Sequence, residues 1–248
     1  MPTLPLRGKT ALVTGGARRI GHAIALALAH AGADVAITYR TSRSEAEQAA
    51  AEIRALGVRG LSLECDVRAE ASVQRAIATT TVEFGRLDLL VNNAAIFETA
   101  PLENLSLAQW DAIFETNTRG PFLTAREALP HLRAAQGRII NIGSMGGLHP
   151  WPTHAHYSSS KAALHMLTKS MAKAFAPEVS VNCVAPGWIE LDDRREDESK
   201  NAAHFAARTP MGRNGTAEDV AQAVLFFAAG PAFITGQILS VDGGLGLT

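Results

Sequence analysis

The amino-acid sequence predicts an α/β fold: a single-domain, doubly wound (Rossmann-type) parallel sheet of about seven strands with helices on both faces. Two features of the 248 residues lead to this fold class. Short segments that are apolar throughout alternate with segments of helical character, a pattern typical of a parallel sheet covered on both faces. No linker, repeat or low-complexity stretch divides the chain, so residues 1–248 are expected to form one domain.

The predicted elements follow one another in regular order. The strands are short apolar runs, placed over residues 10–14, 34–39, 61–65, 87–91, 138–142, 179–184 and 237–241. The helices are the longer segments between them, placed over residues 20–31, 44–56, 70–84, 107–132, 157–175 and 217–229. Right-handed crossovers between such strands put the ligand crevice at their carboxyl ends.

Composition narrows the possible classes of partner and location. A formal net charge of −1 offers no electrostatic attraction to nucleic acid or to an anionic membrane, so neither is expected as a partner. The N-terminal segment lacks an apolar core of secretory length, and no run is long enough to span a membrane. A cytoplasmic location is therefore predicted, with Cys65 and Cys183 as buried free thiols.

A glycine-containing loop lies between the first predicted strand and the first helix. It reads Thr-Gly-Gly-Ala-Arg-Arg-Ile-Gly over residues 14–21. Glycines at such a turn allow the backbone to approach a pyrophosphate, and the helix that follows presents free N–H groups to it. The loop therefore predicts a dinucleotide site after the first strand.

The end of the second strand discriminates between the two nicotinamide dinucleotides. An NAD site usually has an acidic residue there for the ribose 2′-hydroxyl, whereas this chain has Arg40, and its next acid is Glu45 inside the helix. A guanidinium binds a 2′-phosphate through charge-assisted hydrogen bonds. Arg40, together with Arg18 from the glycine loop and a hydroxyl from Ser42, thus favours NADPH/NADP+ as cofactor.

Tyr157 and Lys161 stand four residues apart at the start of a predicted helix, which places them on one face. A free tyrosine has a pKa near 10, and a neighbouring ammonium would stabilise the phenolate and lower that value. Such a pair can act in proton transfer to a substrate. The spacing alone is weak evidence, and its significance depends on the motifs that accompany it.

These motifs together resemble the short-chain dehydrogenase/reductase family, in particular 3-oxoacyl-(acyl-carrier-protein) reductases, with a glycine loop similar to that of pteridine reductases. The resemblance runs nearly from end to end. The motifs, in order, are the loop 14–21, Asp66-Val67, Asn92-Asn-Ala-Ala95, Asn117, Ser144, Tyr157 with Lys161, Pro186-Gly187, Thr235-Gly236-Gln237 and Val241-Asp-Gly-Gly244.

The resemblance implies roles for four catalytic residues. Tyr157 would donate a proton to the substrate carbonyl oxygen, Lys161 would bind the nicotinamide ribose, and Ser144 would hydrogen-bond the same oxygen. Asn117 would hold a water that connects the lysine with solvent. The expected cofactor residues are Gly15, Arg18, Arg19, Ile20, Gly21, Tyr39, Arg40, Thr41, Ser42, Asp66, Val67, Asn93, Ala94, Ala95, Tyr157, Lys161, Pro186, Gly187 and Ile189.

The chain departs from the family pattern at three positions. Arg19 stands where a glycine is usual in the phosphate loop, and Ala95 replaces the glycine of the customary Asn-Asn-Ala-Gly. The segment after Ile189 lacks the threonine that usually meets the cofactor, so no side chain is assigned to that contact. Arg19 must point away from the pyrophosphate or help to neutralise it.

The substrate remains open between several classes. A ketone or a 3-oxoacyl thioester fits the overall pattern, with Ser144, Tyr157, Trp151 and Trp188 as the expected substrate residues. An oxidised pterin is the alternative suggested by the arginine-bearing loop, although known pteridine reductases carry aspartate at the position of Ser144. Non-catalytic NADP(H)-binding sensors form a third class, but they typically lose the tyrosine or the lysine.

Three further expectations concern metals, a lid and assembly. His154 and His156 lack further ligands at suitable spacing, so no metal site is predicted. The charged stretch within residues 190–209 is expected to be a substrate lid as well as a solvated surface. The resemblance implies a homotetramer or homodimer through the two long helices and the last strand.

Overall fold

The computed structural model describes residues 4–191 and 196–247, and it has one seven-stranded parallel sheet. The spatial order of the strands is β3-β2-β1-β4-β5-β6-β7. Their bounds are β1 Thr10–Val13, β2 Asp34–Tyr39, β3 Gly60–Glu64, β4 Leu89–Asn92, β5 Arg138–Ile142, β6 Ser180–Pro186 and β7 Ile238–Val241. The predicted fold class is confirmed.

Eight α-helices lie among the described residues, and they connect the strands. Their bounds are α1 Arg19–His30, α2 Arg43–Ala55, α3 Glu70–Phe84, α4 Leu107–Phe114, α5 Gly120–Ala135, α6 Ala155–Phe175, α7 Glu196–Arg208 and α8 Ala217–Ala229. None of the described helices is both long enough and apolar enough to cross a bilayer.

The core consists of two apolar layers, one on each face of the sheet. One layer packs α1 and α8 against the sheet around Ile24, Ile37 and Val224. The other packs α3 and α5 against the opposite face around Ile77 and Leu132. Strands buried on both sides explain the continuous apolar runs of the sequence. Cys65 and Cys183 are buried and free, as predicted.

The chain reverses direction across the sheet between β1 and β4. Strands β1 and β4 are parallel neighbours. From β1 the chain continues to β2 and β3 toward one edge of the sheet, and from β4 it continues to β5, β6 and β7 toward the other edge. Such a reversal opens a crevice at the carboxyl edge. Thr14 lies at the end of β1 and Asn93 at the end of β4, so the glycine loop and the Asn-Asn-Ala-Ala motif meet there.

The predicted single helix over residues 107–132 is wrong in one respect. A π-helical turn, Glu115–Arg119, separates α4 from α5. Within this turn the side chain of Asn117 accepts a hydrogen bond from the Ile96 N–H and donates one to the Ile96 carbonyl oxygen. We attribute the widened turn to this anchoring, since π-turns often occur at functional positions. Helix α6 also begins at Ala155, two residues before Tyr157.

The predicted lid segment lies partly outside the described residues. Residues 192–195 are not described, whereas α7 and the residues that follow it to Thr209 are. The side chain of Phe205 in α7 is buried against Trp188 and Trp151. The described part of this segment therefore covers the aromatic residues beside the crevice.

Candidate active site

The glycine loop is shaped by steric limits at two of its glycines. Gly15 adopts φ +64°, and a Cβ at Gly21 would lie only 2.3 Å from the carbonyl oxygen of Gly15. Arg19 also adopts a left-handed φ of 54°. A glycine is preferred at such a φ, because a side chain there costs about 1–2 kcal/mol. The left-handed φ thus explains why glycine is usual at this position, and Arg19 adopts the same backbone conformation at that cost.

Asn93 fixes the glycine loop from the neighbouring strand. Its side-chain amide donates to the carbonyl oxygens of Thr14 and Gly15, both at 3.0 Å. The Thr14 hydroxyl oxygen in turn accepts from the N–H groups of Asn93 and Ala94. Both amide hydrogens of Asn93 are used in this way, so its side chain acts on the loop rather than as a free donor to a ligand. Ala95 is exposed at the crevice.

Arginines dominate the end of β2, as the sequence indicated. Arg40 and Thr41 are exposed, and Arg18 lies 3.7 Å from Glu45 in a partly exposed ion pair. Ser42 is the N-cap residue of α2, and its side chain makes no capping bond. The preceding Tyr39 is buried. A phosphomonoester fits this surface, because two guanidinium groups can face it and the strand end contributes no carboxylate.

Asp66 has a partner within the chain. The Arg68 guanidinium donates to both of its carboxylate oxygens, and this contact, together with the charge of Arg40, holds the pKa of Asp66 below its ordinary value. The neighbouring Val67 is buried and packs against Gly120, where a Cβ would come within 2.9 Å of it. Asp66 is therefore held by its ion pair with Arg68 and Val67 by its packing against Gly120, both at the end of β3.

The four expected catalytic residues lie around the ends of β4 and β5. Lys161 is almost fully buried, and its ammonium donates a 2.8 Å hydrogen bond to the carbonyl oxygen of Ile142 and lies 5.8 Å from the centre of the Tyr157 ring. Burial lowers the pKa of Lys161 from 10.5 to about 8. The Ser144 side chain lies close enough to Tyr157 to favour its phenolate.

The pKa of Tyr157 does not follow the expectation from the sequence. Burial raises it above its ordinary value, and the neighbouring Ser144 side chain opposes that change only in part. Desolvation disfavours the phenolate more than the neighbouring groups favour it. In this geometry Tyr157 is therefore a protonated phenol at neutral pH.

Asn117 is tied to the site through α6 as well as through the loop after β4. Its amide donates to the hydroxyl oxygen of Ser160, which donates in turn to the carbonyl oxygen of Tyr157. Together with its two hydrogen bonds to Ile96, the Asn117 side chain makes three hydrogen bonds within the chain. Asn117 thus connects the π-turn with the turn of α6 that carries Tyr157.

The expected contacts at the nicotinamide end lie after β6. Gly187 donates its N–H to the Val241 carbonyl oxygen, and a Cβ there would lie 2.6 Å from the Asp242 side chain. Pro186 ends the strand, and Ile189 is buried against the core of the domain. Ile20 packs against the same core from the glycine loop. These residues set the floor of the crevice.

Aromatic rings form a connected cluster beside Tyr157. Trp188 stacks on Phe205 with ring centres 4.1 Å apart, and Trp151 lies 5.2 Å from Phe205. Phe97, 62% exposed, stands edge-on to Tyr157 at 4.9 Å and stacks on His154 at 4.8 Å. Burial lowers the pKa of His154, so the ring is uncharged at neutral pH.

Three residues near the site were not predicted from the sequence: Phe97, His165 and Phe205. Phe97 follows the Asn-Asn-Ala-Ala motif by two residues, which is the only signal that could have placed it near the site. Phe205 lies within the predicted lid, where its bulk among alanines was a usable signal. His165 lies one turn beyond Lys161 on α6 and is buried. No group of three potential metal ligands occurs in the described part of the chain.

Comparison with known proteins identifies the family of the chain. A family model described as enoyl-(acyl carrier protein) reductase matches residues 15–246. A 3-oxoacyl-(acyl-carrier-protein) reductase from Synechocystis is 40% identical over 244 residues, covering 97% of this chain and 98% of that protein. The chain belongs to the short-chain dehydrogenase/reductase family. A 3-oxoacyl-(acyl-carrier-protein) reductase from Staphylococcus aureus is 39% identical over 242 residues, covering 96% of this chain and 98% of that protein.

Two solved structures superimpose closely on the chain. A short-chain dehydrogenase/reductase from Serratia marcescens has a TM-score of 0.92 at 39% identity and covers 98% of this chain and 99% of its own. A blue fluorescent protein from a metagenomic library, solved in complex with NADPH, has a TM-score of 0.90 at 35% identity, covering 97% and 99%. The chain is thus an oxidoreductase of this family.

Proposed function

We propose that this oxidoreductase transfers hydride from NADPH to a substrate carbonyl, with Tyr157 as proton donor. The observation that carries the proposal is the grouping of Tyr157, Ser144 and Lys161 at one strand end. A protonated phenol lies there beside the Ser144 hydroxyl and near the buried Lys161 ammonium. Reduction of a carbonyl requires such an acid next to the oxygen that gains charge.

The chain's own residues divide the work of the reaction. A reduced nicotinamide bound at the carboxyl edge would supply the hydride. Tyr157 transfers its proton to the carbonyl oxygen, and Ser144 donates a hydrogen bond to the same oxygen while negative charge develops there. Lys161 stabilises the tyrosinate that results, because its ammonium lies near the ring. Asn117 keeps the loop after β4 and the start of α6 in register.

The preference for NADPH rests on the surface at the end of β2. Arg40 is exposed there, Arg18 approaches from the loop, and no carboxylate ends the strand to repel a 2′-phosphate. Arg18 also contacts Glu45, so a bound phosphate would compete with that carboxylate for the guanidinium. The metagenomic relative solved with NADPH supports the same choice of cofactor.

A 3-oxoacyl thioester or another ketone is the substrate class that we favour. Relatives from two bacteria bear the name 3-oxoacyl-(acyl-carrier-protein) reductase at about 40% identity over almost their full length. Ser144 supplies the neutral hydrogen-bond donor that reduction of a ketone needs. Trp151 and Trp188, joined by Phe205, would form the apolar wall against the substrate, with α7 as its cover.

A flat heteroaromatic substrate such as an oxidised pterin is the second candidate, favoured by one observation. Phe97 is largely exposed although it is aromatic, and its ring stands beside Tyr157. A planar ring system could stack there, since aromatic pairs prefer centres about 4.5–7 Å apart. Phe97→Leu should then weaken turnover of a pterin more than that of a thioester.

Assembly into a homotetramer or homodimer is supported by an apolar groove on the outer face of α4, α5 and α6. The groove has a volume of about 700 Å³. Its walls include Phe114, Phe122 and Met166, and the Met166 side chain is 62% exposed. Exposed apolar surface of this kind marks an interaction site. Light scattering of the purified protein would test this part of the proposal.

The substrate experiment compares acetoacetyl thioester and an oxidised pterin side by side, each with NADPH and with NADH. The proposal expects consumption of NADPH with the thioester, and a Ser144→Ala variant should lose about 100-fold in kcat because one donor to the oxyanion is removed. Turnover of the pterin alone would identify a heteroaromatic substrate, the second candidate. Tight NADPH binding with no turnover of any carbonyl would contradict the proposed reaction.

A further inference from the structure

We infer that His165 is a positioning residue for catalysis. Its imidazole accepts a hydrogen bond from the Ser144 backbone N–H, and this bond holds the Ser144 hydroxyl toward Tyr157. The inference rests on the proposed function, because it assigns the ring to the same carbonyl-reducing site. His165 itself would touch neither substrate nor cofactor.

The ring occupies a space made by two glycines on either side of Ser144. A Cβ at Gly143 would lie 2.3 Å from His165 Nε2, and a Cβ at Gly147 would lie 2.7 Å from its Cε1. Real Cβ contacts are never that short, so the imidazole can be seated only because both positions are glycine. The loop that carries Ser144 thus wraps directly over the ring.

The hydrogen bond between them has a defined direction. The Ser144 N–H donates to His165 Nε2 across 3.4 Å. This N–H belongs to a loop that turns sharply after β5, where the Ser144 hydroxyl oxygen accepts from the Gly146 N–H at 3.0 Å. The backbone bond to His165 and the side-chain bond to Gly146 therefore fix Ser144 from two sides.

The surroundings keep His165 in the state that can accept. The residue is 6% exposed, and burial together with the charges of Lys161 and Lys169 lowers the pKa of its ring to about 4. The imidazole is therefore neutral at pH 7, and a neutral ring has one nitrogen with a free lone pair. A protonated ring would have to donate at both nitrogens and would repel the Ser144 N–H.

His165 also connects the Ser144 loop with Lys161 through α6. It stands four residues after Lys161, so both side chains project from the same face of the helix. Lys161 reaches the Ile142 carbonyl oxygen at the end of β5, and His165 reaches Ser144 two residues later. The helix thereby sets the Lys161 ammonium and the Ser144 backbone relative to each other.

A double-mutant cycle tests the role, because a residue that acts through Ser144 cannot act when Ser144 is absent. His165→Leu should lower kcat about tenfold with an unchanged Kd for NADPH, less than the loss of the whole Ser144 donor. In a Ser144→Ala background the same substitution should cost less than about twofold. His165→Gln should restore most of the rate, since its amide oxygen can accept from the same N–H.

Equal losses of kcat from His165→Leu in both backgrounds would overturn the inference and assign the ring to packing alone. A second readout does not depend on turnover. The Ser144 amide should exchange its hydrogen about tenfold faster in His165→Leu than in the wild-type protein or His165→Gln, and equal exchange in all three would overturn the inference. If no carbonyl is turned over, the proposed function fails, while this exchange measurement still tests the hydrogen bond.

Discussion

The burial of Lys161 predicts that removing its charge stabilises the protein. Its pKa falls from 10.5 to about 8 on folding, because the ammonium is desolvated. A lysine with a lowered folded pKa costs stability wherever both states are protonated, which is the range below pH 8. The cost falls as the pH rises from about 8 to 10.5, where only the unfolded chain keeps the proton, and is gone above that range.

The size of the effect follows from the pKa change. A difference of about 2.5 pH units corresponds to about 3 kcal/mol, and Lys161 is only 2% exposed, so solvent screening reduces this little. Lys161→Met leaves the Ile142 carbonyl oxygen without its donor, which costs about 1 kcal/mol. The variant should therefore gain about 2 kcal/mol, or about 4–8 °C in Tm for a chain of this length.

Urea denaturation of the protein without cofactor, at pH 7 and at pH 10, measures the difference between Lys161→Met and wild type. The gain should be present at pH 7 and largely lost at pH 10. Lys169→Met is the matched control, because Lys169 lies on the same helix but is exposed, and it should change stability by less than about 0.5 kcal/mol at either pH. A Lys161→Met variant that is less stable than wild type at pH 7 would refute the reasoning.

Three other substitutions test the cofactor site and the core. Arg40→Asp should weaken NADPH binding by about 10- to 100-fold in a fluorescence titration, since a charge-assisted contact is replaced by repulsion; the control Arg43→Gln should bind NADPH as the wild type does. Gly21→Ala should cost about 1–3 kcal/mol in urea unfolding, as its Cβ would lie 2.3 Å from the Gly15 carbonyl oxygen; an unchanged midpoint would contradict the geometry. Asn141→Leu should cost about 2 kcal/mol in the same assay, because two buried polar side chains lose a partner, and a neutral effect would argue against a satisfied network.

Most of the fold was predictable because the chemistry that determines it is local. Strands such as β2 and β5 were placed correctly from continuous apolar runs, since parallel strands covered on both faces need no alternation. The interruption between α4 and α5 was not predictable. It depends on the hydrogen bonds between Asn117 and Ile96, which are 21 residues apart in sequence, and no local periodicity reports that contact.

The site shows the same division between local and long-range information. Tyr157 and Lys161 share a helix, so their spacing was enough to place them together. The effect of burial on their pKa values was not visible in the sequence, because desolvation depends on the elements packed around them. The seating of His165 beneath Ser144 depends on Gly143 and Gly147, whose role emerges only when the loop lies over α6.

The central claim is that Tyr157 donates the proton during NADPH-dependent carbonyl reduction. The most direct measurement is NADPH consumption with acetoacetyl thioester by the wild-type protein and by Tyr157→Phe, with the Kd for NADPH measured for both. The account predicts a loss of at least about 100-fold in kcat with nearly unchanged NADPH binding, because only the acid is removed. A Tyr157→Phe variant that turns over at the wild-type rate would contradict the account.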